Sequence, residues 1–165
     1  MTRALIPGTY DPVTLGHVDI IERASRVFNK VIVAVAASTQ KGSGPLFSIE
    51  DRVEFIKDAV SDLPNVEVCR FSTLLVDIAE EMEADSIVKG LRALTDFEWE
   101  FQQASINYQL NPKFETMFIM ANPQYMYLSS STVKEIALLG GDVSKWVTPL
   151  VQSELRKCFD SQAKA

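Results

Sequence analysis

Ten consecutive residues, Gly8-Thr9-Tyr10-Asp11-Pro12-Val13-Thr14-Leu15-Gly16-His17, concentrate the residue types that handle phosphate. Gly8 and Gly16 let backbone approach a ligand closely, Thr9 supplies a hydroxyl, and His17, the chain's only histidine, can donate a ring N–H. Taken singly, the glycines are turn residues, Asp11-Pro12 is an ordinary turn pair and a lone histidine is a surface or core residue. Further along, Lys89-Gly90-Leu91-Arg92 sets two cations around a glycine, Arg92 with a planar fork of donors and Lys89 with a compact charge. Ser129-Ser130-Ser131-Thr132 holds more hydroxyls than a helix cap needs, and Thr132 with Glu135 is spaced like a capping box. These groups suit transfer between two phosphate-bearing anions. The protein would neutralise their repulsion, align them and stabilise charge on the equatorial oxygens, with no covalent intermediate required.

The elements that must position these residues follow from periodicity. Ala4 to Ile6 reads as a short strand ending at Pro7-Gly8, and residues 17 to 28 place Val18, Ile21, Ala24 and Phe28 on one helical face. Residues 31 to 36 are apolar throughout, as in a strand covered on both faces. Ser48 caps a helix carrying Val53, Ile56 and Val60, and Val66 to Phe71 is a third strand. A helix over 74 to 82, a strand over 86 to 89, a helix over 96 to 110 and a strand over 116 to 120 come next. Helices over about 131 to 139 and after Pro149 close the chain. The alternation predicts an α/β fold: one doubly wound, five-stranded parallel sheet whose ligands bind at the carboxyl ends of the strands, near the switch point. Lys89 and Arg92 follow an apolar strand at that end, whereas most Lys and Arg are solvated surface groups.

The chain has 165 residues, 47% of them hydrophobic and 23% charged, which predicts a single domain over 1–165 with a sizeable core. Its formal charge is −6, which argues against a general nucleic-acid binder, since affinity for the phosphate backbone is built from clustered Lys and Arg. A small anionic substrate stays compatible, because a site responds to charges within about 10 Å. Cys69 and Cys158 give neither metal spacing nor a disulfide framework and read as packing residues in a reducing compartment. Met1 to Pro7 carries too short an apolar stretch for a signal peptide, and no stretch approaches the ~18 apolar residues of a membrane span, so the expected location is the cytoplasm.

The Thr14-Leu15-Gly16-His17 segment resembles the T-x-G-H signature of the nucleotidyltransferase superfamily. The longer string from Gly8 to Ile21, together with Lys89-Gly90-Leu91-Arg92, Asp96-Phe97-Glu98-Trp99-Glu100 and Leu128-Ser129-Ser130-Ser131-Thr132-Val133-Lys134, is similar to the phosphopantetheine adenylyltransferase family. The resemblance runs from Gly8 to about Pro149. It implies a Rossmann-like nucleotidyltransferase fold and transfer of the adenylyl group of ATP, with Mg²⁺, to 4′-phosphopantetheine. It further implies pyrophosphate as product, a homohexamer, and coenzyme A as a feedback ligand. His17, Thr9, Lys41 and Arg92 are the catalytic candidates it supplies. ATP is assigned to Thr9, Tyr10, His17, Gly90, Leu91, Arg92, Glu100, Tyr125, Met126, Tyr127, Leu128, Ser129, Ser130 and Ser131, and the acceptor to Thr9, Lys41, Leu75 and Lys89. The resemblance alone singles out Lys41, since Gln40-Lys41-Gly42-Ser43-Gly44-Pro45 is by composition a flexible linker.

Three alternatives stay open. Leu74-Leu75 is by default core, Glu100 is equally a solvated helix carboxylate, and the aromatic residues of the 96–110 helix fit burial within the monomer as well as an interface. Lys89 departs from the family's Arg, keeping the charge and losing the bidentate fork. The rival functions are another T-x-G-H transferase, such as a nicotinamide-nucleotide adenylyltransferase or a cytidylyltransferase, and a nucleotide-binding regulator without turnover.

Overall fold

The computed structural model describes residues 1–37, 44–92 and 94–162. Five parallel strands, β1 (Arg3–Gly8), β2 (Lys30–Ala36), β3 (Val66–Phe71), β4 (Ser86–Leu91) and β5 (Glu115–Met120), form one sheet in the order β3-β2-β1-β4-β5. The crossovers are α1 (Leu15–Val27), α2 (Ile49–Ala59), α3 (Leu75–Glu81) and α4 (Leu94–Leu110), followed after β5 by α5 (Ser130–Leu138) and α6 (Pro149–Gln162). This is the doubly wound Rossmann-like fold that the alternating apolar runs predict.

Strand alternation divides the core. Ala4, Ile6, Val31, Val33, Val35 and Val88 point to one face, where Ile21 and Ala24 of α1, Ile56 of α2, Val133 of α5 and Leu155 of α6 cover them. Leu5, Ile32, Ala34 and Ile87 point to the other and meet Ile78 and Ala79 of α3 and Phe114. Burying a Val, Leu or Ile fully contributes about 1.5–3 kcal/mol, so these two clusters are the main source of stability.

The elements depart from the periodicity at their ends. α1 begins at Leu15 rather than near His17, because Thr14 is its N-cap and His17 its third residue. β1 and β4 continue to Gly8 and Leu91, since their backbones stay paired with β2 and β5 as far as those residues. α5 is capped by Ser129, whose side chain accepts the N–H of Thr132, so the Thr132–Glu135 capping box is overturned. Phe97, Trp99, Phe101, Ile106 and Tyr108 are exposed, which removes burial within the monomer as their explanation. Cys69 and Cys158 are half-buried, and burial, together with Glu67 and Glu81 for Cys69 and Glu154 and Asp51 for Cys158, pushes both thiols up, so they remain protonated packing groups. Among the described residues, no helix is long and apolar enough to cross a membrane.

Candidate active site

β1 and β4 are hydrogen-bonded neighbours only at Ala4↔Ser86 and Leu5↔Ile87. Beyond that point β1 follows β2 as far as Gly8↔Val35, while β4 follows β5 as far as Leu91↔Met120. The two central strands therefore separate at their carboxyl ends, and a cavity of about 420 Å³ opens between them, the size of a small-molecule site. Crossovers leave to opposite faces here, so no helix closes the crevice.

The turn after β1 is shaped by Tyr10. Its φ of 52° lies in the left-handed region, and its hydroxyl donates to the carbonyl of Ile6 at 3.1 Å. Gly8 is required at this fold-back, since a Cβ there would sit 2.7 Å from the tyrosine ring. The same ring meets His17 in an edge-on arrangement, with centroids 5.1 Å apart. Burial pushes the Tyr10 phenol up, so it stays a neutral wedge.

Thr14 then sets the chemistry of His17. The backbone N–H of Thr14 donates to Nδ1 of His17 at 3.0 Å, while the Thr14 hydroxyl accepts the His17 backbone N–H. This is a capping box with imidazole in place of the usual Glu or Gln. An Nδ1 that accepts leaves the proton of the neutral ring on Nε2. Burial, and then the Arg92 charge, push the imidazole down to about 4, so at neutral pH His17 is an uncharged donor on the cavity wall.

From β4 come the cations. Lys89 faces α4 and pairs with Glu100 at 2.6 Å, both lining the cavity. Gly90 faces the other way, where a Cβ would come within 3.0 Å of Ile20 on α1, so the glycine allows α1 to pack closely over the strand. Arg92 reaches across the mouth to donate to the carbonyl of Leu128 at 2.6 Å. That contact ties the end of β4 to the segment that opens α5. There Ser129, Ser130 and Ser131 line the cavity, and Ser130 donates its hydroxyl to the carbonyl of Pro12 at 2.8 Å. Tyr125 completes the wall beside Gly16, where a Cβ would lie 3.2 Å from it.

Of the expected residues, the structure brings Tyr10, His17, Lys89, Gly90, Arg92, Glu100, Tyr125, Leu128, Ser129, Ser130 and Ser131 to this cavity. Others lie elsewhere. Leu91 is buried in the sheet and Leu75 packs with the α3 cluster on the opposite face, so neither lines the cavity. Met126 and Tyr127 also fall outside the lining, Tyr127 being 85% exposed. Thr9 is exposed, and its carbonyl, rather than its hydroxyl, has a partner. Lys41 lies outside the described residues.

Sequence reading overlooked Trp99 as a wall residue, and it overlooked Arg52, which is 2% exposed. Nη1 of Arg52 donates to the carbonyls of Thr9 at 2.7 Å and Ala36 at 3.0 Å, and Nε donates to that of Ser48 at 3.3 Å. Nothing in its spacing distinguishes it from a solvated helix arginine. Among the described residues, no group of three or more His, Cys, Asp or Glu side chains is placed to hold a metal ion.

A doubly wound sheet with a glycine turn, a neutral histidine and cations at its switch point defines a nucleotidyltransferase-type site. The chain belongs to the cytidylyltransferase-like family, whose model matches residues 5–136. Among solved structures, it is similar to a Vibrio parahaemolyticus protein provisionally named a nicotinate-nucleotide adenylyltransferase. That likeness has 25% identity and a TM-score of 0.65, and covers 94% of this chain and 91% of that one. A bifunctional NMN adenylyltransferase/ADP ribose pyrophosphatase from Francisella tularensis superposes with a TM-score of 0.72 at 16% identity, covering 98% of this chain, which spans 50% of that one. A lipopolysaccharide core biosynthesis protein from Thermoplasma volcanium GSS1 follows at a TM-score of 0.54 and 20% identity, covering 74% of this chain and 97% of that one. The last two likenesses are of fold.

Proposed function

We propose that the protein transfers the adenylyl group of ATP to 4′-phosphopantetheine, giving 3′-dephospho-coenzyme A and pyrophosphate. One observation carries this reading: three blocks far apart in sequence, Gly8–His17, Lys89–Glu100 and Leu128–Lys134, all contribute walls to a single cavity. They are the blocks that resemble the phosphopantetheine adenylyltransferases. The nucleotide lies along Tyr125 and Leu128 with its phosphates toward the serines that open α5, where backbone N–H groups and the positive end of the helix favour anions. His17 donates Nε2–H, and Arg92 its guanidinium, to the phosphate oxygens that gain charge as the acceptor phosphate attacks the α-phosphorus in line. The acceptor phosphate occupies the Lys89 side. Mg²⁺ arrives on the phosphates of ATP as part of the substrate, neutralising part of their charge.

A second reading is favoured by the Vibrio likeness: a mononucleotide of nicotinate or nicotinamide as acceptor. One experiment separates the two. The purified protein is incubated with ATP, Mg²⁺ and either 4′-phosphopantetheine or the mononucleotide, and pyrophosphate and the adenylylated product are measured. Product with the mononucleotide alone would replace the first reading, and no product with any acceptor would favour a binding module.

We also propose that the exposed apolar side chains of α4, with Met117 and Met120 of β5, form contacts between copies in a homohexamer. Light scattering tests this, a monomer mass overturning it. Coenzyme A, sharing the pantetheine arm with the acceptor, is proposed as a competing ligand of the same cavity.

A further inference from the structure

Three charged side chains outside the cavity lining, Asp11, Arg52 and Lys134, converge with Ser130 on the turn after β1. The carboxylate of Asp11 is 6% exposed and accepts from the N–H groups of Leu46 at 2.9 Å and Phe47 at 3.0 Å, and from Nζ of Lys134 on α5 at 2.6 Å. Two residues earlier, the carbonyl of Thr9 is held by buried Arg52, and one residue later the carbonyl of Pro12 accepts from Ser130. The turn is thus fixed from α2 and α5 at three places, Thr9, Asp11 and Pro12. Burying the Asp11 carboxylate and the Arg52 guanidinium costs several kcal/mol of desolvation per ion, which the hydrogen bonds each makes to backbone offset.

We infer that Asp11 and Lys134 are positioning residues, a part-buried ion pair that fixes the first turn of α5 against the turn carrying Tyr10, Thr14 and His17. Two anion-contacting segments from opposite ends of the chain, residues 8–17 and 129–131, must face one nucleotide with their spacing set to a few tenths of an ångström. Ser130 alone is a single neutral hydrogen bond. The Asp11–Lys134 pair adds a charge-assisted tie one helical turn further along α5, so the helix is held at two points and cannot rotate about one. The inference rests on the nucleotide reading of this cavity and asks for nothing from the acceptor.

Lys134→Met and Lys134→Arg variants of the full chain test it, each measured where circular dichroism shows it folded. Binding of Mg²⁺-ATP is followed by titration calorimetry, and KM for ATP, KM for the acceptor and kcat are followed by pyrophosphate release. Lys134→Met is expected to weaken ATP binding and raise KM for ATP about tenfold, with KM for the acceptor within about twofold, and Lys134→Arg to recover most of the loss. Unchanged ATP binding in Lys134→Met, or equal losses for ATP and acceptor that Lys134→Arg does not restore, would overturn the inference. Absence of ATP binding to the unaltered protein would overturn the reading beneath it, and the inference with it.

Discussion

Nδ1 of His17 accepts the backbone N–H of Thr14 at 3.0 Å, so the imidazole terminates its own helix with one nitrogen and presents the other to the cavity. Capping and catalysis can therefore be separated by substitution. His17→Gln retains a capping-box residue at the third helical position, and His17→Ala removes it. Both are expected to lower kcat by about 10²- to 10³-fold, the scale for losing one donor to transition-state charge. Only His17→Ala should also lose about 1 kcal/mol of stability, measured by urea unfolding. Equal kinetics in both variants and the parent would take His17 out of the reaction.

The depressed pKa of His17 gives stability a pH dependence. The folded protein takes up this proton near pH 4 and the unfolded chain near 6.5, so within that window the unfolded state binds more protons. Stability contributed by the neutral ring is complete above about pH 6.5 and is lost as pH falls toward about 4, with a slope of at most about 1.4 kcal/mol per pH unit. Because the chain has no other histidine, the difference between parent and His17→Gln in urea midpoint across pH 4 to 7 isolates this effect. Parallel curves would contradict it.

Gly8→Ala drives a Cβ into the Tyr10 ring, and that ring abuts His17. A cost of about 1–3 kcal/mol is expected, as for overpacking elsewhere, together with lowered kcat because the imidazole loses its edge support. Thermal melts and initial rates check the two halves of this expectation, and a stable, fully active Gly8→Ala would show that Tyr10 can move aside without consequence.

Arg52→Met removes, from a buried position, the side-chain donor to the carbonyls of Thr9 and Ala36, while the carbonyl of Ser48 keeps the backbone N–H of residue 52. A loss of about 2–4 kcal/mol is expected, well beyond the ±0.5 kcal/mol typical of surface substitutions. Chemical denaturation measures it, and a change near zero would place Arg52 among ordinary solvated residues.

Lys89→Arg restores the fork that the family resemblance leads one to expect, and Lys89→Met removes the charge beside Glu100. KM for the phosphate-bearing acceptor should fall or hold in the first and rise about tenfold in the second, with KM for ATP less affected. A rise confined to ATP would move Lys89 to the nucleotide's side of the cavity.

What the sequence displayed depended on whether a residue's role was periodic or local. The sheet was legible because Val31, Val33 and Val35 face one helix layer and Ile32 and Ala34 the other, which forces an unbroken apolar run. His17 and the serine run were legible because their types are unusual beside glycines and at a helix start. Asp11 and Arg52 were hidden, since a turn aspartate and a helix arginine look the same in sequence whether solvated or buried against backbone. Leu91 misled because Lys89, Gly90 and Arg92 around it line the cavity, while its own side chain is buried and contributes nothing to the lining.

The parting of β1 and β4 after Leu5 and Ile87 has one more consequence. Backbone in the middle of a sheet is its most constrained part, yet here Ile6 to Gly8 and Lys89 to Gly90 border the cavity instead of one another. A ligand seated between them takes the position a neighbouring strand would have filled. Its alignment is inherited from the twist and spacing of the sheet, so substitutions that alter only the surrounding loops should change affinity more readily than the angle of attack.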